Sequence, residues 1–346
     1  MFSIDPDIRR AETLPAFVYR DEALFARARD AIFARSWQLV PQAHAVRAGG
    51  DVAPATFLEG GCEEPILVTR DAAGALHCLS NVCTHRGNLL VEEPATLERL
   101  RCRYHGRRFD LDGRFRSMPE FDGAIDFPRP ADDLPRLATG TWGPFTFAAL
   151  DPAIPFDEWI APVATRLAGH DFAAAAPAPE RTRNYEVRAH WALYLDNYLE
   201  GFHIPYVHPG LADVVDYGTY ACEIFPHAVL QVGHAGADVA AHWFWLWPNT
   251  MLNVYPWGIS VNVVKPLAVD RTHVTFLSYV SDRSRLGTGA GGDLDRVEME
   301  DEAIVEAVQR GVRARLYDRG RYSPARETGV HHFHRLLAAA LAVPAR

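Results

Sequence analysis

Apolar positions near the N-terminus recur every three or four residues. Leu24, Phe25, Ala28, Ala31 and Ile32 predict an amphipathic helix over 20–37. From Gln38 to Phe121 the rhythm changes: short apolar runs (PILVTR, ALHCLSN, GRRFDLDGRF) alternate with Gly and Asp turns, the pattern of a small all-β domain. Residues 122–180 are rich in Pro, Ala and Asp and read as connecting structure. A helix is expected over 189–204, ending at Pro205, which cannot donate a backbone hydrogen bond. Residues 219–282 carry strand-like runs (HWFWLWP, TMLNVYP, ISVNVVKPL, HVTFLSYVS) that predict antiparallel strands. A long helix is expected over 295–316 and a last one over 328–342. There is no internal repeat and no low-complexity tract. The expected division is a β domain over 38–150 and a second domain made of 1–37 with 151–346.

Composition narrows the class. The chain has 346 residues, of which 48% are hydrophobic and 23% charged, enough to bury a core in two domains without disulfide staples. The net charge of −9 argues against nucleic acid, whose phosphates need a basic face; Arg107 and Arg108 are a spot, not a patch. The segment MFSIDPDIRRAETLPAF lacks the apolar core of a signal peptide, and no run of about 18 apolar residues predicts a membrane span. The five cysteines (Cys62, Cys78, Cys83, Cys102 and Cys222) are odd in number and few, which fits reduced thiols, some of them free to bind metal. The expected compartment is the cytoplasm.

Two constellations carry chemistry. The first pairs Cys83 with His85 in NVCTHRG and Cys102 with His105 in RCRYHGRRF, each pair just before a glycine, Gly87 or Gly106. Structural zinc sites usually keep their two cysteines together. One Cys and one His per loop suits instead a Rieske [2Fe–2S] cluster, in which one iron takes two thiolates and the other two imidazoles. A zinc site, or two core cysteines beside two surface histidines, are the alternative readings. Cys62, Cys78 and Cys222 read as small core residues.

The second constellation lies in LDNYLEGFHIPYVHPG, which carries Glu200, His203 and His208. On a continuous helix, residues five apart would point about 140° away from each other. A break at Pro205 lets both rings converge. The third member comes from RVEMEDEAIVEAVQRGV, where Val297, Ile304, Val308 and Val312 form an apolar stripe that Asp301 completes. A carboxylate on a buried stripe is costly unless it is paired or binds a metal. Two histidines and one carboxylate are the facial set of non-haem Fe(II) oxygenases. A surface histidine pair and an Asp bound to a core Arg are the bland alternatives.

Trp243, Trp245 and Trp247 share one strand face by the period of two. They are core filler or, with Tyr206 and Tyr255, the wall of a cage for a cation. His331, His332 and His334 read as packing or capping groups.

CTHRG…CRYHG resembles the Rieske motif of ring-hydroxylating and related oxygenases, and the resemblance covers nearly the whole chain. The second loop of that family commonly reads CPYHGW, where this chain has Arg103 and Arg107. The resemblance implies an α+β architecture: a Rieske β domain, then an antiparallel sheet wrapped on a long C-terminal helix. It also implies Cys83, His85, Cys102 and His105 as cluster ligands, and His203, His208 and Asp301 as ligands of a mononuclear Fe(II). Glu200 would bridge His203 to a Rieske histidine, His105, of a neighbouring subunit in a homotrimer. DNYLEGFHIPYVHPGL and GRYSPARETGVHHFHRLL look most like choline monooxygenase and its bacterial relatives acting on quaternary ammonium compounds.

The implied reaction is hydroxylation or N-demethylation of a small molecule with O₂. No flavin or nicotinamide motif and no plant-type ferredoxin cysteines are present, so electrons from NADH or NADPH would come through a separate reductase, with or without a ferredoxin. The alternatives are an aromatic ring hydroxylase or aryl ether O-demethylase of the same family, a Rieske electron carrier, and a zinc-stabilised binding protein.

Overall fold

A computed structural model describes residues 2–170, 172 and 175–342. It divides into two compact units, Ala34–Ala153 and the remainder, Met1–Phe33 with Ile154–Arg346. Residues 34–37 and 151–153 therefore belong to the smaller unit: Ala153 N–H donates to the Arg35 carbonyl at 3.0 Å.

The smaller unit is all β. A four-stranded antiparallel sheet takes in Asp51–Phe57, Glu64–Arg70, Leu76–Ser80 and Ala95–Thr96. A three-stranded sheet of Leu100–Arg101, Arg108–Phe109 and Phe115–Ser117 and another of Gln38–Leu39, Ala138–Trp142 and Phe145–Ala149 complete it. The last two strands and the helix Phe156–Arg166 correct the expectation that 122–180 only connects. Phe145, Phe147, Ala148 and Ala149 are all fully buried, so this strand shows no polar alternation to read.

The larger unit has helices α1 (Glu22–Ala31), α2 (Phe156–Arg166), α3 (Trp191–Tyr198), α4 (Ile204–Val207), α5 (Pro209–Ala212), α6 (Leu294–Gly311) and α7 (Thr328–Ala342). They accompany an eight-stranded antiparallel sheet whose long strands are Ala228–Ala235, Asp238–Leu246, Thr250–Tyr255, Gly258–Ala268 and Arg271–Val280, paired in chain order. The architecture is α+β. α3 packs against α6, α7 and the sheet.

Two expectations about the helices need correction. α3 stops at Tyr198, ahead of Pro205, which instead sits in the first turn of α4, where its missing N–H costs nothing. The break comes at Leu199–His203, and Gly201 permits it. A Cβ there would lie 2.6 Å from the Tyr220 ring.

The second concerns the buried face of α6, which is one position out of step with the expected stripe. Glu298, Val305 and Gln309 face inward, whereas Ile304 and Val308 are 41% and 42% exposed. Polar anchors hold this face. The Gln309 amide oxygen accepts from His190 N–H at 2.7 Å, and the Tyr194 hydroxyl lies 2.9 and 2.8 Å from the two Glu298 oxygens. Asp293 caps the helix by accepting from Arg296 N–H at 3.2 Å, and Arg310 in the last turn complements the dipole.

Candidate metal centres and the adjoining pocket

The two Cys/His loops of the smaller unit close in the same way. Cys83 N–H donates to the Asn88 carbonyl at 2.9 Å and Gly87 N–H to the Cys83 carbonyl at 3.0 Å. Cys102 N–H donates to the Arg107 carbonyl at 2.8 Å and Gly106 N–H to the Cys102 carbonyl at 3.0 Å. The glycines sit at φ +71° and +75°, left-handed conformations that disfavour any residue with a Cβ. Each loop thus buries its cysteine and presents its histidine.

The His85 and His105 ring centroids are 4.7 Å apart, and Tyr104 stacks on His105 at 3.7 Å. Cys83 and Cys102 are buried free thiols. Burial pushes the Cys83 thiol up; the backbone N–H of His85 opposes this, and the neighbouring Cys102 thiol reinforces it. His105 Nδ1 is buried without a hydrogen-bond partner. Two paired thiols, two adjacent imidazoles and an orphaned ring nitrogen fit a group that binds all four side chains.

Asp132 ties the loops together. Its carbonyl accepts from the Thr84 hydroxyl at 2.8 Å and from Arg107 at 3.0 Å, and its carboxylate accepts from Arg107 at 2.7 Å. The Arg107 side chain is only 2% exposed, and its guanidinium lies over Phe115 at 4.7 Å and Phe127 at 5.5 Å. A planar cation stacked on rings thus fills a place where the related loops carry Trp.

In the larger unit His203, His208 and Asp301 come together, their ligand atoms all within 4.8 Å of one another. Among the described residues no other His, Cys, Asp or Glu group forms such a set. Asp301 Oδ1 is 2.9 Å from His208 Nε2 and 3.5 Å from His203 Nε2. Both rings are held from behind. His203 Nδ1 is 2.6 Å from Glu200 Oε1, and His208 Nδ1 is 2.8 Å from Glu300 Oε2. Carboxylates on both Nδ1 atoms orient the Nε2 atoms toward one point beside Asp301, the arrangement that supports imidazole ligands.

Glu200 also accepts from the backbone N–H groups of Phe202 and of His203, the latter at 3.1 Å, so it shapes the break after α3 as well. Arg296 binds the other oxygen of Glu300 at 3.1 Å. The His208 hydrogen bond lowers the Glu300 pKa most; burial opposes it, and Arg296 adds to the lowering.

The three side chains open onto a cavity of about 100 Å³, whose wall includes Tyr220, Trp243, Tyr255, Asn253 and Glu298. Gly233 makes room for Trp243: a Cβ there would lie 2.6 Å from its ring. Tyr220 stacks near Trp243 at 6.0 Å, and the Trp243 indole N–H donates to the Tyr255 hydroxyl at 3.2 Å.

Trp243 and Tyr255 thus reach the cavity, but three other expected wall residues do not. Tyr206, on α4, is 79% exposed. Trp245 and Trp247 pack on Phe333 of α7, at 5.4 and 6.3 Å between centroids. Period two gives the face of a strand, and the cavity lies at only one end of that face. Tyr220, Glu298 and Glu300 were not singled out from the sequence. Glu298 alone had a readable signal, one helical turn before Asp301.

His334 is buried between Asp196, at 2.7 Å, and Tyr322, at 2.6 Å; His331 bonds the Asp5 carbonyl at 2.8 Å. Both serve packing.

Residues 36–128 match the model of the Rieske [2Fe–2S] domain, and residues 226–342 that of the ring hydroxylating alpha subunit catalytic domain. The chloroplastic choline monooxygenase of Arabidopsis thaliana is 30% identical, over 96% of this chain and 84% of that protein. The chain belongs to the Rieske non-haem iron oxygenases. The carnitine monooxygenase oxygenase subunit of Escherichia coli K12 is likewise 30% identical, over 95% of this chain and 94% of its own length.

The crystal structure of the quaternary ammonium Rieske monooxygenase CntA with L-carnitine superposes with a TM-score of 0.79 at 27% identity, covering 97% of each chain. Naphthalene 1,2-dioxygenase shares the fold, with a TM-score of 0.72 at 18% identity over 95% of this chain and 92% of that one. This oxygenase therefore uses a Rieske [2Fe–2S] cluster and a mononuclear iron, and acts as an oxidoreductase on O₂. Among the described residues no helix is long and apolar enough to cross a membrane.

Proposed function

We propose that this oxygenase inserts one oxygen atom from O₂ into a C–H bond of a small quaternary ammonium compound. The other atom leaves as water, with two electrons from a reductase and two protons from solvent. Insertion at an N-methyl carbon releases formaldehyde and so amounts to N-demethylation. The carrying observation is the aromatic wall of Trp243, Tyr255 and Tyr220 in the same cavity as His203, His208 and Asp301. A cation over such faces gains about 2 kcal/mol when desolvated.

Cys83, His85, Cys102 and His105 hold the cluster in this reading, and His203, His208 and Asp301 hold the iron. When bound, the two centres supply stored electrons and a site for O₂. The chain's own residues do the rest. Glu200 and Glu300 fix the two imidazoles, the aromatic wall seats the cation, and Tyr194 with Glu298 closes one side of the cavity.

Electrons from NADH or NADPH arrive through a separate reductase, with or without a ferredoxin. The active form is a homotrimer in which Glu200 joins His203 to His105 of a neighbouring copy, a head-to-tail contact that closes most simply as a C₃ ring. The five cysteines are all free thiols, which fits the cytoplasm.

Metal analysis tests this reading. Three irons per chain and a Rieske-type EPR signal are expected, and Cys102→Ser bleaches the signal while the larger unit stays folded. Two irons would indicate an electron carrier, and a colourless zinc protein would overturn the reading.

A further inference from the structure

The hairpin that carries Cys102 and His105 pairs Leu100 with Phe109 and Arg101 with Arg108. Strand alternation sends these two pairs to opposite faces. Leu100 and Phe109 are fully buried, so Arg101 and Arg108 stand together on the outer face, and both are exposed. Side chains directly opposite in an antiparallel pair are about 4.5–5.5 Å apart at Cβ, and like charges there are destabilising.

The neighbouring arginines are neutralised: Arg103 pairs with Glu92, Arg114 with Asp112 and Arg116 with Asp110. Among the described residues Arg101 and Arg108 have no such partner, and neither has the exposed Arg86. All three flank the proposed cluster ligands: Arg86 adjoins His85, Arg101 adjoins Cys102, and Arg108 follows His105 by three residues. The chain as a whole carries a net charge of −9, so these unmatched cations invert its sign locally.

Resting on the reading that electrons come from a separate reductase, we infer that this arginine face docks the electron-donor protein, and that the donor meets it with carboxylates. In each encounter the reduced donor loses one electron and the Rieske cluster gains it; no bond forms or breaks. The acidic remainder of the chain repels such a donor, and the arginines steer it to the place where its electron is used. A permanent contact between copies fits this face poorly, because the cores of such interfaces are apolar and depleted in charge. Tyr104 and Leu89, 58% and 40% exposed, suit that contact better.

A plant-type ferredoxin of acidic pI serves as the probe, since its potential lies below that of a Rieske cluster. Stopped flow follows anaerobic reduction of the metal-loaded protein by the reduced ferredoxin, and by photoreduced deazariboflavin as a small neutral donor. The ferredoxin rate is expected to fall with rising salt, and Arg101→Glu or Arg108→Glu to lower it by about tenfold or more at low salt. The deazariboflavin rate and the sedimentation of the variants stay as in the wild type. Arg101→Gln, which removes one charge and relieves the like-charge pair, gives a smaller loss in the same direction. A salt-independent rate, no reduction by the ferredoxin, or wild-type rates in the variants overturns the docking face and leaves the separate reductase standing. Altered assembly of the variants would make the face a contact between copies and overturn it too. Reduction of the wild-type cluster by NADH alone would overturn the reductase reading along with it.

Discussion

Glu300 Oε2 lies 2.8 Å from His208 Nδ1, while the adjacent Asp301 reaches the opposite ring nitrogen at 2.9 Å. Two consecutive acids of α6 thus bracket one buried imidazole. Glu300 holds the proton on Nδ1 and leaves Nε2 free for a metal. Loss of such a carboxylate typically weakens metal binding by about 10–100-fold. Glu300→Gln is expected to weaken Fe(II) affinity over that range in anaerobic titration and to leave the Rieske EPR signal unchanged. Unaltered affinity would show that Glu300 only pairs with Arg296.

Trp243 lines the cavity together with Tyr220 and Tyr255. Loss of a desolvated cation–π contact of about 2 kcal/mol corresponds to roughly a 30-fold rise in KM for a cationic substrate. Trp243→Leu, which keeps apolar bulk over Gly233, is expected to show that rise, and Trp243→Phe a much smaller one. Steady-state oxygen consumption checks it. Equal effects from Leu and Phe would mean that the ring acts by shape alone.

Buried His190 gives the fold a pH dependence. Burial pushes its pKa down to about 3, and its Nδ1 accepts from Ala192 N–H at 3.1 Å, capping α3. Its folded pKa lies below the unfolded value of about 6.5. Between those values the unfolded chain therefore binds the extra proton, so stability falls as pH drops through that window. The slope from one such group approaches about 1.4 kcal/mol per pH unit. His190→Asn retains a capping acceptor and removes the titration. Urea unfolding of the variant should lose that share of the slope between pH 6 and 4. An unchanged slope would place the effect on other groups.

Much of the site was legible because its chemistry is local. Cys83, His85, Cys102 and His105 sit in two loops whose glycines and closures are encoded within six residues each. Glu200 and His203 are one turn apart. Asp301 was placed by a stripe that the structure corrects: Ile304 and Val308 face outward, and the inward positions include the polar Glu298 and Gln309. A stripe of apolar residues cannot indicate a face that is anchored by polar bonds.

The rest depends on long-range packing. Which of Trp243, Trp245 and Trp247 reaches the cavity is decided by α7, whose Phe333 covers the last two. The strand Phe145–Ala149 is buried on both sides and so lacks alternation. The role of Arg107 depends on Asp132, twenty-five residues further along.

Glu200 is expected to carry electrons between subunits as well as to hold His203. A charge-assisted hydrogen bond of about 1.5–3 kcal/mol is worth roughly tenfold or more in rate. Glu200→Gln should retain both metal centres yet reoxidise its cluster at least about tenfold more slowly in stopped flow. Wild-type rates in this variant, or an active monomer in sedimentation, would contradict the route.

Electrons stored at the Cys/His loops are expected to be spent on substrate at His203, His208 and Asp301. Single turnover measures it directly. The loaded protein is reduced, freed of reductant and mixed with O₂ and choline, and product and cluster oxidation are followed together. Substrate-dependent cluster oxidation with hydroxylated or demethylated product is expected in the wild type, while Asp301→Ala keeps the Rieske signal and makes none. Product from Asp301→Ala, or cluster oxidation in the wild type without any product, would rule this route out.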